Sequence, residues 1–503
     1  MRRSAKCTLL ALSVCLFISY TSCVQKEGNY SMKINVIPNP KELVGTVTSN
    51  SYQSSLYPTQ LTCNENTWEI AAEAFQGYVR KVHGIDLVEG KKGIELIKDD
   101  GLQSGSYKIK CDKNVKLYAS DVTGIQSGFS TILQIMEKSG TEMLIPDVTI
   151  SDNAEGTYRG LMVDLARNWH PYEFLFDYVD LCYLYKINRL QFHFTDDQSY
   201  TLPSDSFPKL PTEDRHYTKE QISKLVDYAN ARGVIIVPEI EVPGHCAQFL
   251  SKYPEIFGKN GIICAEEKAF EALDKIFGEL CEMFPYSPYI HIGGDEASIS
   301  NWRSCSGCKK YMSDNNIKLI EDLYIDFVDR VTKIIFKYGR TPIVWEGFSK
   351  KGNDKIAKDV IIIGWESYYQ NPKDLLASGF RVINASWKPL YIVAPSTSWT
   401  PAEILDWSIY GWQHWWEKSM AYPDGIQVEP TDKVLGGQIC VWGDVLAKYD
   451  SSEEAAADEL VLIRERIPAL AEKTWNINST RNKDNFMNSY IKINALYEKM
   501  KAD

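Results

Sequence analysis

The chain has 503 residues, of which 44% are hydrophobic and 24% charged, and it carries a formal net charge of −11. These proportions are ordinary for a globular protein and exclude general disorder, and the length allows a barrel with an accessory domain or two to three separate domains. An acidic chain with no long basic run is a poor match for nucleic acid, so we expect no nucleic-acid partner.

The first 22 residues have the pattern of a lipoprotein-type export signal. A basic start at residues 2–6 precedes an apolar core at residues 9–18 that is short for a membrane span. Small residues lead into Cys23, which would become the lipidated first residue of the mature chain, followed by a polar tether over 23–32. We therefore expect an exported protein of the cell envelope, in the periplasm or at the outer membrane, whose only membrane contact is the lipid on Cys23. The pattern specifies no oligomeric state.

Residues 33–152 mix strand and helix patterns and predict a small α+β domain. They contain no carboxylate cluster, no metal-ligand spacing and no phosphate-binding loop, so we expect a structural role for this domain. The predicted strands are 33–37, 93–97, 107–111 and 115–119, and the predicted helices are 67–82 and 123–137.

From residue 157 onward, eight apolar runs alternate with amphipathic helical segments. This alternation predicts an α/β fold, a (β/α)8 TIM barrel over residues 157–503 that follows the small α+β domain. A doubly wound open sheet is the alternative, but the Gly-rich first turn expected of such a sheet is missing. The eight runs are 158–164, 188–196, 234–241, 289–296, 342–346, 360–365, 381–384 and 438–444.

The ends of these runs carry polar and aromatic side chains. In a barrel the carboxyl ends of all strands lie on one face, where barrel enzymes place their chemistry. Each acid could instead cap its own helix, but that explanation would have to be invoked separately at every strand end. We therefore expect these side chains to converge on one site. They are Asp164, Arg167, Asp196, Asp197, His245, Asp295, Glu296, Trp345, Glu346, Trp365, Glu366, Trp442 and Asp444.

The run at 289–296 is the most informative, because an apolar strand passes through two glycines into the adjacent acids Asp295 and Glu296. Limited solvation at such a position raises carboxyl pKa values and makes one acid a plausible proton donor near neutral pH. The sequence has no HExxH motif, no GxSxG motif and no evident Cys–His dyad, so we expect no metal and no cofactor.

Carboxylate acid–base chemistry among aromatic side chains is the equipment of a glycosidase. Adjacent side chains cannot easily grip opposite faces of a sugar. One of the two acids therefore protonates the leaving oxygen in our interpretation, while the other holds a substrate group that makes the attack.

The cysteines raise a separate question. Twelve are present, and nine remain when the three at or before Cys23 are set aside, so they cannot all pair within the chain. Cys305 and Cys308 form a CxxC motif in a polar loop. Because no second CxxC and no His pair is nearby, we predict a local disulfide in preference to a zinc site.

Four segments of the chain resemble the hallmark motifs of glycoside hydrolase family 20, the β-N-acetylhexosaminidases. They are YRGLMVDLAR at 158–167, HFTDDQ at 193–198, PEIEVPGH at 238–245 and HIGGDE at 291–296. The resemblance covers the barrel and, more loosely, the preceding α+β domain. It implies an exo-acting enzyme that removes terminal β-linked N-acetylglucosamine or N-acetylgalactosamine from a glycan.

The resemblance also implies roles for the acids. Glu296 would be the general acid and base, and Asp295 would orient the 2-acetamido group of the substrate, whose oxygen is the nucleophile, with net retention. Asp196 and His245 would form a relay that supports Glu296. We expect partial burial and the neighbouring anion to keep Glu296 protonated.

The same resemblance implies the substrate-binding residues. Arg167 would fork onto the ring hydroxyls at carbons 3 and 4, and Tyr391 would hydrogen-bond the acetamido oxygen. The aromatic walls of the pocket would be Trp345, Trp365 and Trp442, with Asp444 at its rim.

Three positions depart from the family pattern. Val393 replaces a common Asp, Asp444 replaces a common Glu, and Asn168 replaces a common His. The first two affect recognition of the hydroxyls at carbons 4 and 6, so the pattern leaves open the preference between the gluco and galacto forms.

Two alternatives remain. A glycan-binding lipoprotein could keep the pocket without the catalysis, although Asp295, Glu296 and Arg167 are all present. A retaining glycosidase with a nucleophile from the protein would act on sugars that lack the acetamido group.

Overall fold

The computed structural model describes residues 34–45, 60–62, 66–89, 93–111, 114–139, 142–393, 399–444, 449 and 451–501. The predicted export signal at 1–22, Cys23 and the predicted tether at 23–32 lie outside these residues. Within the described residues, no helix combines the length and the apolar character that a membrane crossing requires.

In its described residues, the N-terminal region is a mixed sheet with two α-helices. Its strands are β1 (Glu42–Val44), β2 (Gln60–Thr62), β3 (Val88–Glu89), β4 (Ile94–Lys98), β5 (Tyr107–Cys111), β6 (Val115–Ala119), β7 (Glu137–Ser139), β8 (Glu142–Leu144) and β9 (Thr149–Asp152), and its helices are α1 (Glu69–His83) and α2 (Val122–Ile135). The main sheet has the order β1-β9-β5-β6-β4-β2-β3 in the described part of the chain, and β7 pairs with β8. In β5 and β6 every second side chain is buried, and β4 follows the same alternation up to its exposed last residue, Lys98.

The predicted strand at 33–37 is wrong over its described residues. The structure has no strand from Ile34 to Ile37, although Val36 and Ile37 are buried. The side chain of Gln134 in α2 accepts a hydrogen bond from the backbone of Ile37 and donates one back to it, both at 2.9 Å. A side-chain amide therefore satisfies the backbone that a neighbouring strand would otherwise pair with.

The second region is a closed barrel of eight parallel strands, which confirms the predicted α/β barrel. Strand β10 pairs with β11 on one side and with β20 on the other, so the sheet has no open edge there. The barrel strands are β10 (Tyr158–Asp164), β11 (Arg189–His193), β12 (Ile235–Glu239), β13 (Tyr289–His291), β14 (Thr341–Trp345), β15 (Ile361–Gly364), β16 (Arg381–Asn384) and, after the short strands β17 (Tyr391–Ile392), β18 (Gly411–Trp412) and β19 (Ile426–Gln427), β20 (Val434–Val441).

Helices surround the barrel. They are α3 (Tyr172–Leu184), α4 (Lys219–Ala231), α5 (Ala247–Lys252), α6 (Pro254–Phe257), α7 (Glu267–Met283), α8 (Ser306–Asp314), α9 (Ile320–Lys337), α10 (Pro372–Ala377), α11 (Trp387–Leu390), α12 (Pro401–Asp406), α13 (Ser452–Trp475) and α14 (Lys483–Lys501). Their sequences carry the expected signals. Helix α4 begins with a capping box formed by Thr218 and Gln221, and α7 buries residues at helical spacing, including Ala269, Leu273 and Ile276.

Six of the eight predicted barrel strands end earlier in the structure than in the sequence pattern. The runs at 188–196, 234–241 and 289–296 end as strands at His193, Glu239 and His291. The acids beyond these ends lie in loops at the carboxyl face of the barrel. Loops can turn their side chains toward one centre, whereas a continuing strand would point alternate residues away from it.

Candidate active site

The loop after β13 is held in a fixed path by its two glycines. Gly293 has a φ of 69°, and a Cβ atom at this position would overlap the carboxylate of Glu241. Gly294 donates its backbone N–H to Glu241 Oε1 at 2.7 Å, and the hydroxyl of Tyr324 donates to the carbonyl of Gly294. Only glycine allows this close approach, and the result is a turn that presents the two acids that follow.

Glu296, His245 and Asp196 form a chain of contacts from three different loops. His245 Nε2 lies 3.4 Å from Glu296 Oε2, and His245 Nδ1 lies 3.2 Å from Asp196 Oδ1. Both His245 and Glu296 have a φ of 45°, which is unusual for residues other than glycine and marks local backbone strain. This geometry is suited to moving a proton between the imidazole of His245 and the carboxylate of Glu296.

The charges of these three residues and of Asp295 favour a proton on the imidazole of His245. Burial acts to lower the pKa of His245, but its hydrogen bonds to Asp196 and Glu296 and the charge of Asp295 outweigh this and raise the pKa to about 12. The hydrogen bond from His245 lowers the pKa of Glu296 below its ordinary value. The side chain of Glu296 is 56% exposed. The expectation that burial and the neighbouring anion keep Glu296 protonated is therefore wrong for the free protein.

Asp295 lies in a different environment from its neighbour. It is buried, and burial raises the pKa of its carboxyl to about 6, with the charge of His245 acting to lower this pKa and those of Glu296 and Glu239 to raise it. The pKa of Asp295 is therefore raised, while that of its neighbour Glu296 is lowered. Asp295 ionises near pH 6, while Glu296 is held as an anion by its imidazolium partner.

A buried polar network lies directly below these residues, and sequence reasoning missed it. His193, Glu239 and His291 are aligned partners at the ends of adjacent strands β11, β12 and β13. His193 Nδ1 lies 2.9 Å from Glu239 Oε2, and His291 Nδ1 lies 3.0 Å from Glu239 Oε1. Trp345 Nε1 donates to the same Oε1 at 2.6 Å. The matching positions at three strand ends were a usable signal, because parallel neighbours in register bring such residues into contact.

This network continues to the relay through Asp196. His193 Nε2 lies 3.0 Å from Asp196 Oδ2, so Asp196 sits between two imidazoles. Burial acts to raise the pKa of Asp196, but its hydrogen bonds to His193 and His245 and the charges of His193 and Arg167 hold that pKa well below its usual range. Asp196 is therefore a permanent anion that fixes the orientation of His245.

Arg167 is positioned by three carboxylates. It lies 3.1 Å from Asp164 Oδ2 through NH1, 2.8 Å from Asp196 Oδ2 through NH2, and 3.7 Å from Asp444 Oδ1 through Nε. Its guanidinium carbon lies 4.8 Å from the ring centroid of Trp442. Asp444 is half exposed, so the guanidinium links the buried base of the pocket to its solvent rim.

Aromatic side chains line the other side of the pocket. Tyr391 is buried and forms an aromatic cluster with Trp365, at a ring-centroid distance of 6.0 Å, and with Trp387, at 4.4 Å. The two tryptophan rings lie 6.2 Å from each other, and the ring of Trp442 lies 6.3 Å from that of Tyr391. Trp345 lies deeper, 5.8 Å from Trp442. Trp387 was missed because it lies beyond the end of β16, in the short irregular turn α11, and not at the strand end itself.

The hydroxyl of Tyr391 is buried and makes no well-formed hydrogen bond with any described residue. Burial raises the pKa of this hydroxyl well above its ordinary value, and the charges of Cys440 and Asp295 add to the effect. A buried polar group without a partner is costly, so this hydroxyl is suited to a polar group of a ligand that enters beside Asp295.

The two acids after β14 and β15 differ in role. Glu346 is buried and accepts hydrogen bonds from the backbone of Ser367 and Tyr369, both at 2.7 Å, so it shapes the next loop. Glu366 is partly buried, and burial together with the charges of Glu296 and Asp295 raises its pKa to about 7. Glu366 therefore belongs to the electrostatic environment of the acid pair.

Several groups of acids, histidines and cysteines bring possible metal ligands together. At the barrel mouth, these groups contain pairs that are already in contact, namely His193 with Glu239 and His245 with Asp196. Outside it, three cysteines meet: Cys264, Cys305 and Cys308. The predicted local disulfide between the last two is not present, since both are free thiols in the structure.

Glycoside hydrolases built on this barrel place paired carboxylates and aromatic side chains at its carboxyl face, where this chain has them too. The family model for the catalytic domain of glycosyl hydrolase family 20 matches residues 157–478, and the model for domain 2 of that family matches residues 33–153. The chain belongs to glycosyl hydrolase family 20.

Individual proteins show the same relationship. The chain is 28% identical over 511 residues to a β-hexosaminidase from Porphyromonas gingivalis, covering 92% of this chain and 64% of that relative, and 26% identical over 444 residues to a β-hexosaminidase from Akkermansia muciniphila, covering 79% and 85%. The chain therefore spans less than two thirds of the Porphyromonas protein.

Among solved structures, the exo β-N-acetylglucosaminidase of Vibrio harveyi has a TM-score of 0.79 at 20% identity and covers 96% of this chain and 80% of its own. The β-N-acetylhexosaminidase of Bacteroides fragilis has a TM-score of 0.74 at 22% identity, with coverage of 92% and 95%. At these identities the likeness establishes the shared fold.

Proposed function

We propose that the protein is an exo-acting β-N-acetylhexosaminidase that hydrolyses terminal, non-reducing β-linked N-acetylglucosamine or N-acetylgalactosamine by substrate-assisted catalysis. The observation that carries this proposal is that the Asp295 carboxylate and the Tyr391 hydroxyl are both buried at the same aromatic pocket. The hydroxyl makes no well-formed hydrogen bond with a described residue, and the charge of Asp295 acts on its pKa. An acetamido group has one N–H donor and one carbonyl acceptor, so it fits an anion and a hydroxyl donor at once.

The first half of the reaction breaks the glycosidic bond. The acetamido oxygen attacks carbon 1 of the same sugar, while Glu296 donates its proton to the leaving oxygen. Positive charge develops on the acetamido nitrogen, and the ionised Asp295 stabilises it while the hydroxyl of Tyr391 holds the attacking oxygen in place. The nucleophile comes from the substrate, which explains how two adjacent acids on one loop suffice.

The second half releases the sugar. Glu296, now an anion, removes a proton from a water molecule that attacks carbon 1 from the side the leaving group has vacated. The acetamido group is regenerated, and the two inversions give net retention at carbon 1.

The remaining side chains bind and orient the substrate. Arg167 presents donor groups at the base of the pocket and is fixed by Asp164 and Asp196, so its guanidinium is already oriented before a sugar enters. Trp442 and Trp365 offer flat apolar faces for the ring. Asp444 reaches the rim near Arg167 and is suited to accept a hydrogen bond from an outer hydroxyl.

The proposal is tested with 4-nitrophenyl glycosides of N-acetylglucosamine, N-acetylgalactosamine and glucose. We expect the first two to be cleaved with the β-anomer released first, as seen by proton NMR, and the plain glucoside to react at least about a thousandfold more slowly because it lacks the nucleophile. Comparable rates on the glucoside would instead favour a nucleophile supplied by the protein. Saturable binding of N-acetylglucosamine with no turnover of any substrate would favour a glycan-binding protein.

The role of Glu296 is tested separately by its dependence on the leaving group. The Glu296→Gln variant should lose activity on a phenyl glycoside by about 10²-fold to 10⁴-fold, the range of general acid catalysis. It should lose much less on a 2,4-dinitrophenyl glycoside, whose leaving group needs no proton. Equal losses on the two substrates would remove Glu296 from the acid step.

We also infer that the chain is exported and anchored in the cell envelope through a lipid on Cys23. The support is the order of basic, apolar and small residues before this cysteine. Metabolic labelling with a tagged fatty acid should mark the wild type and a Cys15→Ser variant but not a Cys23→Ser variant. Label retained by Cys23→Ser would overturn this placement.

A further inference from the structure

Three buried thiols meet beside the barrel, outside the pocket. Cys264 lies just before α7, and Cys305 and Cys308 lie at the start of α8. Their relative exposures are 4%, 8% and 0%. The sulfur atoms all lie within 4.8 Å of one another, and the Sγ atoms of Cys264 and Cys305 are 3.2 Å apart. Only Cys305 and Cys308 are close together in the sequence. The third thiol, that of Cys264, lies 41 positions before Cys305.

The surroundings of the sulfur atoms are those of thiolate ligands. The backbone N–H of Ala265 donates to Cys308 Sγ, and that of Cys308 donates to Cys305 Sγ, both at 3.4 Å. Zinc bonds sulfur at about 2.3 Å, so a tetrahedral site holds its sulfur atoms about 3.8 Å apart, a spacing this cluster reaches with small side-chain shifts. A disulfide would use two of the thiols and leave the third buried without a function, whereas a metal uses all three.

A carboxylate completes the set. Glu266 Oε1 lies 3.8 Å from Cys305 Sγ. The same carboxylate packs against Gly307, between the two cysteines of the motif, where any Cβ atom would overlap it. Glycine at this position therefore makes room for an acid directly beside the thiols. Carboxylate oxygen is an accepted zinc ligand, with a bond of about 2.0 to 2.2 Å.

We propose that Cys264, Cys305, Cys308 and Glu266 bind one Zn²⁺ in a structural site. Four protein ligands leave no open position for water, as in structural zinc sites generally. The metal would join the segment before α7 to the segment that follows the acid pair.

The position of the site gives it a bracing role. Trp302, in the 3-10 helix Ile299–Ser304, donates its indole N–H to the carbonyl of Ile263 at 2.8 Å. The backbone of Ile263 in turn donates to the carbonyl of Pro243 at 3.0 Å. The zinc would therefore fix the relative positions of the loops that carry His245 and Glu296, without contacting substrate.

The test measures metal content on the full mature chain, reduced, incubated with Zn²⁺ and freed of excess by gel filtration. Inductively coupled plasma mass spectrometry should find one Zn²⁺ per chain in the wild type. The variants Cys264→Ser, Cys305→Ser and Cys308→Ser should each lose it. The matched control Cys281→Ser, which removes a buried cysteine of α7 outside the cluster, should retain it. Removal of the metal with a chelator should lower the thermal midpoint of the wild type and leave that of Cys308→Ser unchanged.

Two results would overturn the proposal. One is wild-type protein that holds no Zn²⁺ after this treatment. The other is a disulfide between two of the three cysteines in the exported protein, found by peptide mapping after alkylation without reduction. If the serine variants do not fold, Co²⁺ bound to the wild type decides the matter, because thiolate ligands give intense sulfur-to-metal absorption and its absence excludes a cysteine site.

Discussion

The pKa of Asp295 predicts a specific acid limit to activity. Burial raises this pKa from its ordinary value of 3.8 to about 6; the charge of His245 acts to lower it, and those of Glu296 and Glu239 act to raise it. Ionising the buried carboxyl therefore costs about 3 kcal/mol more than in water. The proposed reaction needs Asp295 as an anion. The free protein should therefore lose kcat/KM as the pH falls through about 6.

The expected size of the effect follows from the fraction of ionised Asp295. With a pKa of about 6, about nine tenths of the carboxyl is ionised at pH 7 and about one tenth at pH 5, so kcat/KM should fall about tenfold between them. An unshifted Asp would remain almost fully ionised at pH 5. The assay is the pH profile of kcat/KM for 4-nitrophenyl N-acetyl-β-glucosaminide, with circular dichroism at each pH to show that the fold persists.

Variants separate Asp295 from its neighbours. Asp295→Asn should have low activity and no acid limb near pH 6, because the titrating group is gone. Glu366→Gln should keep the limb, although Glu366 has a pKa raised to about 7 and is the main rival. Asp197→Asn removes an exposed acid from the same barrel face, keeps its hydrogen bond to the backbone of Ala247, and should also keep the limb. A limb near pH 6 that survives in Asp295→Asn would refute the reasoning.

Three further substitutions test the pocket and its supporting loop. Tyr391→Phe should lower kcat/KM by about tenfold to a hundredfold. It should leave the free energy of unfolding in urea titrations unchanged or slightly higher, because the hydroxyl has no well-formed bond to a described residue. A large loss of stability would contradict this. Trp387→Ala should raise KM about tenfold in the same glycosidase assay, because it removes a stacking wall behind Tyr391, and an unchanged KM would exclude it from the pocket. Gly293→Ala should lower the free energy of unfolding by about 3 kcal/mol or more, because its Cβ would overlap Glu241. The control Gly339→Ala has the same φ of 69° in open space and should cost only about 1 kcal/mol. Equal losses in urea titrations would show that backbone strain alone explains the effect.

The sequence predicted the barrel well because its strands are short apolar runs between longer helices. Strands β10 and β16 have the bounds that the pattern predicts, and the other barrel strands are displaced by a few residues at their ends. The failure at 33–37 has a different cause. An apolar segment can be buried by pairing with a strand or by bonding to a side chain such as Gln134, and apolar periodicity does not distinguish the two.

The sequence also predicted that the polar side chains in the loops of the site lie in one region. Asp196, His245 and Glu296 meet because barrel closure forces strand ends together. The buried polar network below them was missed. His193, Glu239 and His291 belong to strands that were recognised by their apolar residues, and only the register of neighbouring strands shows that these three side chains meet. Cys264 was missed for a similar reason, since spacing along the chain cannot reveal a partner from a separate loop.

The solvent exposure of Glu296 is linked to the protonation of its partner His245. In the free protein Glu296 is half exposed, and the proton is held by the imidazolium of His245, whose Nε2 lies 3.4 Å from Glu296 Oε2. A leaving group bound over Glu296 removes water from its carboxylate, and desolvation raises the pKa of an acid while it lowers that of an imidazolium. Both changes favour the transfer of the proton from His245 to Glu296. In the proposed reaction, the substrate itself would therefore supply the burial that favours the acid form of Glu296.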